Sequence, residues 1–246
     1  MKLHNIFSTC VCIFAIACSS SISAQEHFDV EFGYFDGAIE FESDGPGIDA
    51  MGVFETEFEV FNMDGTQEAE DPGFASNFIE GDEVFSVTSG DSIFANVNQS
   101  STFGSYLTYF NTSSGEFEST SATITIEDNS PGGTSDLVVT DSGVSGDLSQ
   151  FIVTSDGSEI DTHVDFILSA DAQEGAYALL LNLESDNLSG DLTDTESGRF
   201  WVVFNNGLNE TVFDNAVDNF RGTSVPEPSS FVVLAALTTG MLRRKR

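Results

Sequence analysis

The sequence predicts an all-β chain, folded as a single antiparallel β-sandwich or jelly-roll domain. Three observations carry that prediction. Apolar and polar residues alternate with a period of two through most of the central part, which puts the apolar side chains on one face of a strand. The alternating runs are short and are separated by clusters of Gly, Asp, Asn, Ser and Pro that favour turns. The chain also spreads 23 Phe through a sequence of formal net charge −34, whereas acidic chains that stay unfolded are poor in aromatic residues.

The elements follow in order. Lys2, the apolar stretch Ile6 to Ala17 and the small residues ending at Ala24 have the layout of an export signal, so residues 1–24 are read as a signal peptide, cut before Gln25 by signal peptidase. Ala15-Ile16-Ala17-Cys18 loosely matches a lipobox, which makes lipidation of Cys18 the alternative processing route. Phe28, Val30, Phe32 and Tyr34 alternate with Asp29, Glu31 and Gly33 as a first strand, and Asp36-Gly37 turns it back into Ala38 to Ser43 as a hairpin. The same alternation returns at Phe54 to Val60 and at Ala122 to Ile126. Shorter strands are predicted at Val84–Val87, Ser92–Val97, Tyr106–Phe110, Leu137–Thr140, Phe151–Thr154, Val164–Leu168, Ala176–Asn182 and Phe200–Phe204. No amphipathic helix and no internal repeat is expected between residues 25 and 224, which form the single domain.

Charge and cysteine content limit what this domain does. Setting aside Lys2 and the four basic residues at the C-terminus leaves Arg199 and Arg221 out of seven Lys and Arg, against 40 of the 41 acids, for a formal charge of −38. Nucleic acids and anionic lipids are bound through Lys and Arg, so neither is an expected partner. Such a charge keeps an exported protein soluble and attracts divalent cations. Cys10, Cys12 and Cys18 all fall in the leader, so no disulfide or thiol chemistry is expected in the mature domain.

The candidate chemistry gathers at two histidines. His27-Phe28-Asp29 stands at the mature N-terminus, and Asp161-Thr162-His163-Val164-Asp165 opens a predicted strand. Residues two apart in an extended chain share a face, so Asp161, His163 and Asp165 are expected to project together, as are His27 and Asp29. If these strands are neighbours, the imidazoles and carboxylates form a donor set suited to zinc or another borderline divalent metal. The acidic loop Ser185 to Asp194 offers oxygen ligands for calcium but fits neither frame of the EF-hand spacing. Trp201 is expected to be buried among Phe200, Val202, Val203 and Phe204, although an outward Trp would stack on a sugar ring. The chain shows no Gly-x-Ser-x-Gly elbow, no His-Glu-x-x-His and no glycine-rich phosphate loop, so no enzymatic activity is expected.

The last residues read as an address. Val225-Pro226-Glu227-Pro228 precedes an apolar run from Phe231 to Leu242, and Arg243-Arg244-Lys245-Arg246 closes the chain. A basic cluster after an apolar helix holds a segment in a membrane with its end cytoplasmic, and a run this short suits a temporary stop. Residues 225–246 resemble the PEP-CTERM sorting signals of bacteria. That resemblance implies a short transmembrane segment engaged with the membrane before processing, cleavage near Pro-Glu-Pro by an exosortase-type sorting enzyme, and delivery to the cell envelope, cell surface or extracellular matrix. The mature domain resembles a second family. His27-Phe28-Asp29, the downstream His163-Val164-Asp165-Phe166-Ile167-Leu168 and Gly175-Ala176-Tyr177 are similar to the choice-of-anchor M domain, in which a His-x-His usually precedes the strand. Here Asp161 stands where that family's first histidine would be. This resemblance implies surface display and metal handling, not catalysis.

The sequence thus describes an exported, noncatalytic cell-surface or matrix protein with extracellular polysaccharide among its candidate partners. The alternatives are a zinc-binding protein and a carbohydrate-binding module. No cofactor is assigned beyond the zinc or calcium candidates.

Overall fold

The structure, a computed structural model, describes residues 29–42, 52–76, 78–80, 83–88, 90–128, 136–146 and 160–222. The expected signal peptide, Cys18, His27, the predicted strand Phe151–Thr154 and residues 225–246 lie outside the described residues.

The first strands bear out the alternation. β1 (Asp29–Phe35) pairs antiparallel with β2 (Ala38–Phe41) through a turn at Asp36 and Gly37, whose φ angles of 48° and 80° are those of a tight two-residue hairpin. β3 (Val53–Glu57), β4 (Val60–Phe61), β5 (Gln67–Ala69) and β6 (Gly73–Ser76) follow, then the small hairpin β7 (Phe78–Glu80) and β8 (Glu83–Phe85). Next come β9 (Ile93–Asn98), β10 (Leu107–Asn111), β11 (Glu116–Glu118), β12 (Ile124–Asp128), β13 (Asp136–Thr140) and β14 (Gly143–Gly146). β15 (Ile160–Thr162), β16 (Val164–Leu168), β17 (Gly175–Ser185) and β18 (Glu196–Asn206) precede a helix, α1 (Glu210–Gly222).

Three sheets build a sandwich-type domain. One runs β15-β6-β1-β2, a second β11-β10-β17-β18-β3 with β9 also on β17, and a third β14-β13-β12-β16-β5-β4. The all-β class holds, and most pairs are antiparallel as expected. Two are parallel, β1 with β6 and β18 with β3, and each joins strands separated by a crossover long enough for parallel pairing.

The second sheet is covered on both faces. Tyr177, Leu179, Leu181, Leu183, Phe200, Val202 and Phe204 enter a main core with Val30, Phe32 and Phe74 of the first sheet and Ile124, Val164 and Phe166 of the third. Phe41 meets Phe200 at 5.1 Å and Phe166 meets Phe204 at 5.0 Å, which ties both other sheets to this one. On the opposite face, Ala176, Ala178, Leu180, Trp201 and Val203 pack with Phe213, Ala216, Val217 and Phe220 of α1. Burial on both sides explains why Ala176 to Leu181 and Phe200 to Phe204 read as unbroken apolar runs rather than as alternation.

The helix corrects the expectation of none between residues 25 and 224. Phe213, Ala216, Val217 and Phe220 recur at the spacing of a helical face, yet Asp214, Asn215, Asp218 and Asn219 between them are poor helix formers. Packing on the sheet supplies what propensity does not. Asn209 caps the start by accepting a bond from the Val212 amide at 3.3 Å, and Glu210 and Arg221 sit at the ends that match the helix dipole. Arg221 also pairs with Glu55 of β3 and with Asp218.

Candidate metal centre

The candidate site lies where two neighbouring strand connections pass together from the third sheet to the first. β5 pairs with β16 in the third sheet, and β6 pairs with β15 in the first. The residues between them, 70–72 on one side and His163 on the other, are the crossing. The side-chain alternation expected through Asp161, His163 and Asp165 therefore breaks at His163.

On the outer face of the first sheet the registers bring distant residues together. Asp29 of β1 stands opposite Gly73 of β6, and on the other side of β6 Thr162 is opposite Phe74, so His163 follows next to Gly73. One row along, Glu31 and Asp161 both stand opposite Ala75. Val30 and Phe32 point into the core between them, which fixes Asp29 and Glu31 outward.

The side chains of Asp29, Asp161 and His163 converge, with one donor atom from each lying within 4.8 Å of the others. His163 Nε2 is 3.2 Å from Asp161 Oδ1 and 4.0 Å from Asp29 Oδ1. The His163 side chain is 43% exposed, Asp161 63% and Asp29 26%, so the group opens to solvent on one side. A tetrahedral ion with bonds near 2 Å holds its ligands about 3.3 Å apart, a value the two distances bracket.

Gly73 makes the convergence possible. A Cβ built there would stand 2.8 Å from both Nδ1 and Cε1 of His163, and closer still to Asp29 Oδ1, where real Cβ contacts essentially never fall below 3.0 Å. Its φ lies outside the left-handed region, so the glycine serves room and not backbone conformation. No motif in the sequence singled out Gly73. The turn-forming run Asp71-Pro72-Gly73, which lies at the crossing into β6, is the one local signal that could have found it.

Asp165 does not join the cluster, which corrects the expectation that it projects with Asp161 and His163. It belongs to β16 and stands opposite Glu127 of β12 in the third sheet, where the Glu127 carboxyl is raised first by burial and then by the charges of Asp136, Asp165 and Glu68. The chain changes sheet at His163, so the two-residue period does not carry across it. His27 lies outside the described residues.

A second group of carboxylates adjoins the site. Glu31 is pushed up to about 7, first by burial and then by its hydrogen bond with Glu42 and the negative charges of Glu42 and Asp29.

The acidic loop after β17 is tied by hydrogen bonds to itself and to the connection before β9. Asp91, buried, accepts bonds from the Ser189 amide at 2.6 Å and from the Ser189 and Tyr34 hydroxyls at 2.7 Å each. Burial pushes the Asp91 carboxyl up, but these bonds outweigh it and hold it below the usual carboxylate range. Asp186 Oδ1 accepts from the amides of Ser92 and Leu188, and Asn187, at φ 48°, exchanges two bonds with Leu192. Trp201 is 3% exposed beneath α1, packed on Phe103 and Phe220, so it offers no platform to a sugar.

No family model matches the chain, and no curated protein matches it. Among solved structures, the chain is similar to a family 123 glycoside hydrolase from Clostridium perfringens at 9% identity and a TM-score of 0.27. That superposition covers 63% of this chain and 22% of the other, so the chain spans about a fifth of that protein's length. A likeness this loose carries no argument about fold or function. Among the described residues, no helix is long and apolar enough to cross a membrane.

Proposed function

We propose that this chain is an exported, noncatalytic component of the cell surface or extracellular matrix whose β-sandwich holds a divalent cation, zinc by preference, between Asp29, Asp161 and His163. The observation that carries the cation reading is the convergence of these three side chains around a glycine that leaves them room. Two carboxylates and an imidazole suit zinc or a similar borderline metal, with water completing the shell, and are too few oxygens for calcium. The charge of the domain supports it by concentrating cations at the surface. Export and surface delivery rest on the leader and on the Pro226-Glu227-Pro228 tail with its basic end, which resembles a PEP-CTERM signal.

Zinc titration against a competing chelator tests the site, with His163→Ala as the comparison. The wild-type chain is expected to bind one zinc, and His163→Ala to lose it. An affinity unchanged by His163→Ala removes the site. Mass spectrometry of protein recovered from its native surface tests the export reading. Ends trimmed near Gln25 and near Pro226 are expected, and intact ends on cytosolic material overturn it.

A further inference from the structure

We propose that the face of the second sheet beside α1 binds a neutral, hydroxyl-rich polysaccharide through Asn96, Asn98, Glu184 and Arg199. The registers lay this surface out. Asn96 of β9, Asn182 of β17 and Arg199 of β18 stand in one row across three strands, flanked by Asn98 in the row towards Trp201 and by Phe94 and Glu184 in the row beyond. Alternation puts them on the same face as Leu180 and Trp201, opposite the main core. Helix α1 covers the apolar part of that face, while Arg199 is exposed, Asn96, Asn98, Glu184 and Phe94 are half-buried, and Asn182 is buried beneath them with both its polar atoms bonded internally.

The side chains are pre-arranged by one another. The Asn98 amide donates to Asn182 Oδ1 at 2.7 Å, and the Asn96 amide donates to Glu184 Oε2 at 3.0 Å. Among the described residues, nothing donates to Oδ1 of Asn96, Oδ1 of Asn98 or Oε1 of Glu184. Arg199 brings five N–H donors and forms no ion pair among the described residues, although the domain is crowded with acids and Arg221 pairs twice. Fixed acceptors beside a planar fork of donors match sugar hydroxyls, which both donate and accept, and half-buried Phe94 offers an apolar surface to a ring face. The three strands span about 10 Å, enough for a short stretch of glycan.

Charge selects the kind of glycan. A single guanidinium in a domain of formal charge −38 does not draw in a polyanion, whereas an uncharged polysaccharide approaches without penalty. This surface is separate from the cation centre, so either reading stands or falls alone.

Affinity gel electrophoresis of the full-length chain tests the proposal, with dextran, galactomannan, hydroxyethyl cellulose or alginate cast into the gel. At least one of the three neutral polymers is expected to retard the protein, and Arg199→Ala to weaken that binding at least about tenfold. Asn96→Ala serves as the second variant should Arg199→Ala fail to fold, with the same loss expected. Retardation by none of the polymers, retardation by alginate alone, or binding unchanged in the folded variants would overturn the proposal.

Discussion

Gly73→Ala is the sharpest perturbation of the proposed cation centre, because it adds one methyl group beside the proposed ligands Asp29 and His163 and leaves every one of them in the sequence. The new Cβ would sit 2.8 Å from two atoms of the His163 ring and nearer still to Asp29 Oδ1. At least one of those side chains must swing away by several tenths of an ångström or more, against zinc bonds that vary by only about 0.2 Å. Losing a ligand's alignment is expected to cost zinc affinity at least the 10–100-fold seen when supporting contacts of a metal site are removed. Stability without metal should change little, since Gly73 needs no left-handed backbone and alanine reduces the freedom of the unfolded chain by about 0.4–1 kcal/mol. Gly143→Ala is the control, because a Cβ there meets nothing within 4 Å. Isothermal titration with zinc gives the affinities, and thermal melting in chelator gives the stabilities. A Gly73→Ala variant that binds zinc as tightly as the wild type would refute the argument from room at this position.

Three further outcomes are expected. The Glu31 carboxyl is raised from 4.5 to about 7 in the folded protein, so its contribution to stability is full below 4.5 and is lost as pH rises through 7; metal-free wild type should melt at falling temperatures from pH 5 to 8, and Glu31→Gln should flatten that slope. The Asp91 carboxyl is held low, so its contribution is present above the ordinary carboxylate pKa and lost as pH falls through its depressed value; Asp91→Ala, which strips three hydrogen-bond donors of their acceptor, should cost about 2–4 kcal/mol in urea denaturation at pH 7, and a cost below 1 kcal/mol would contradict the network. Phe220→Ala should cost about 3–5 kcal/mol and shift the emission of the buried Trp201 to the red, while an unshifted spectrum would mean α1 does not cover it.

Much of the fold was legible locally. Period-two alternation marks β1, β12 and β16, and Asp36-Gly37 announces its hairpin, because a side chain's face depends only on its own strand. Helix α1 was hidden by conflicting signals, since its apolar spacing is helical while its polar residues disfavour a helix. The short strands β4, β5, β6, β11 and β15 carry too few residues to show a period.

The sequence by itself determined the class of the domain, its extreme acidity, its lack of cysteine after residue 18 and the candidate ligands Asp29, Asp161 and His163. Only the tertiary structure decided that these three meet, that Asp165 turns away and that Gly73 stands between them. Composition and periodicity act over a few neighbouring residues, whereas register between β1, β6 and β15 is set by how the sheets close their shared core. The same packing placed Arg199 beside three asparagines from two other strands, a neighbourhood no stretch of sequence contains.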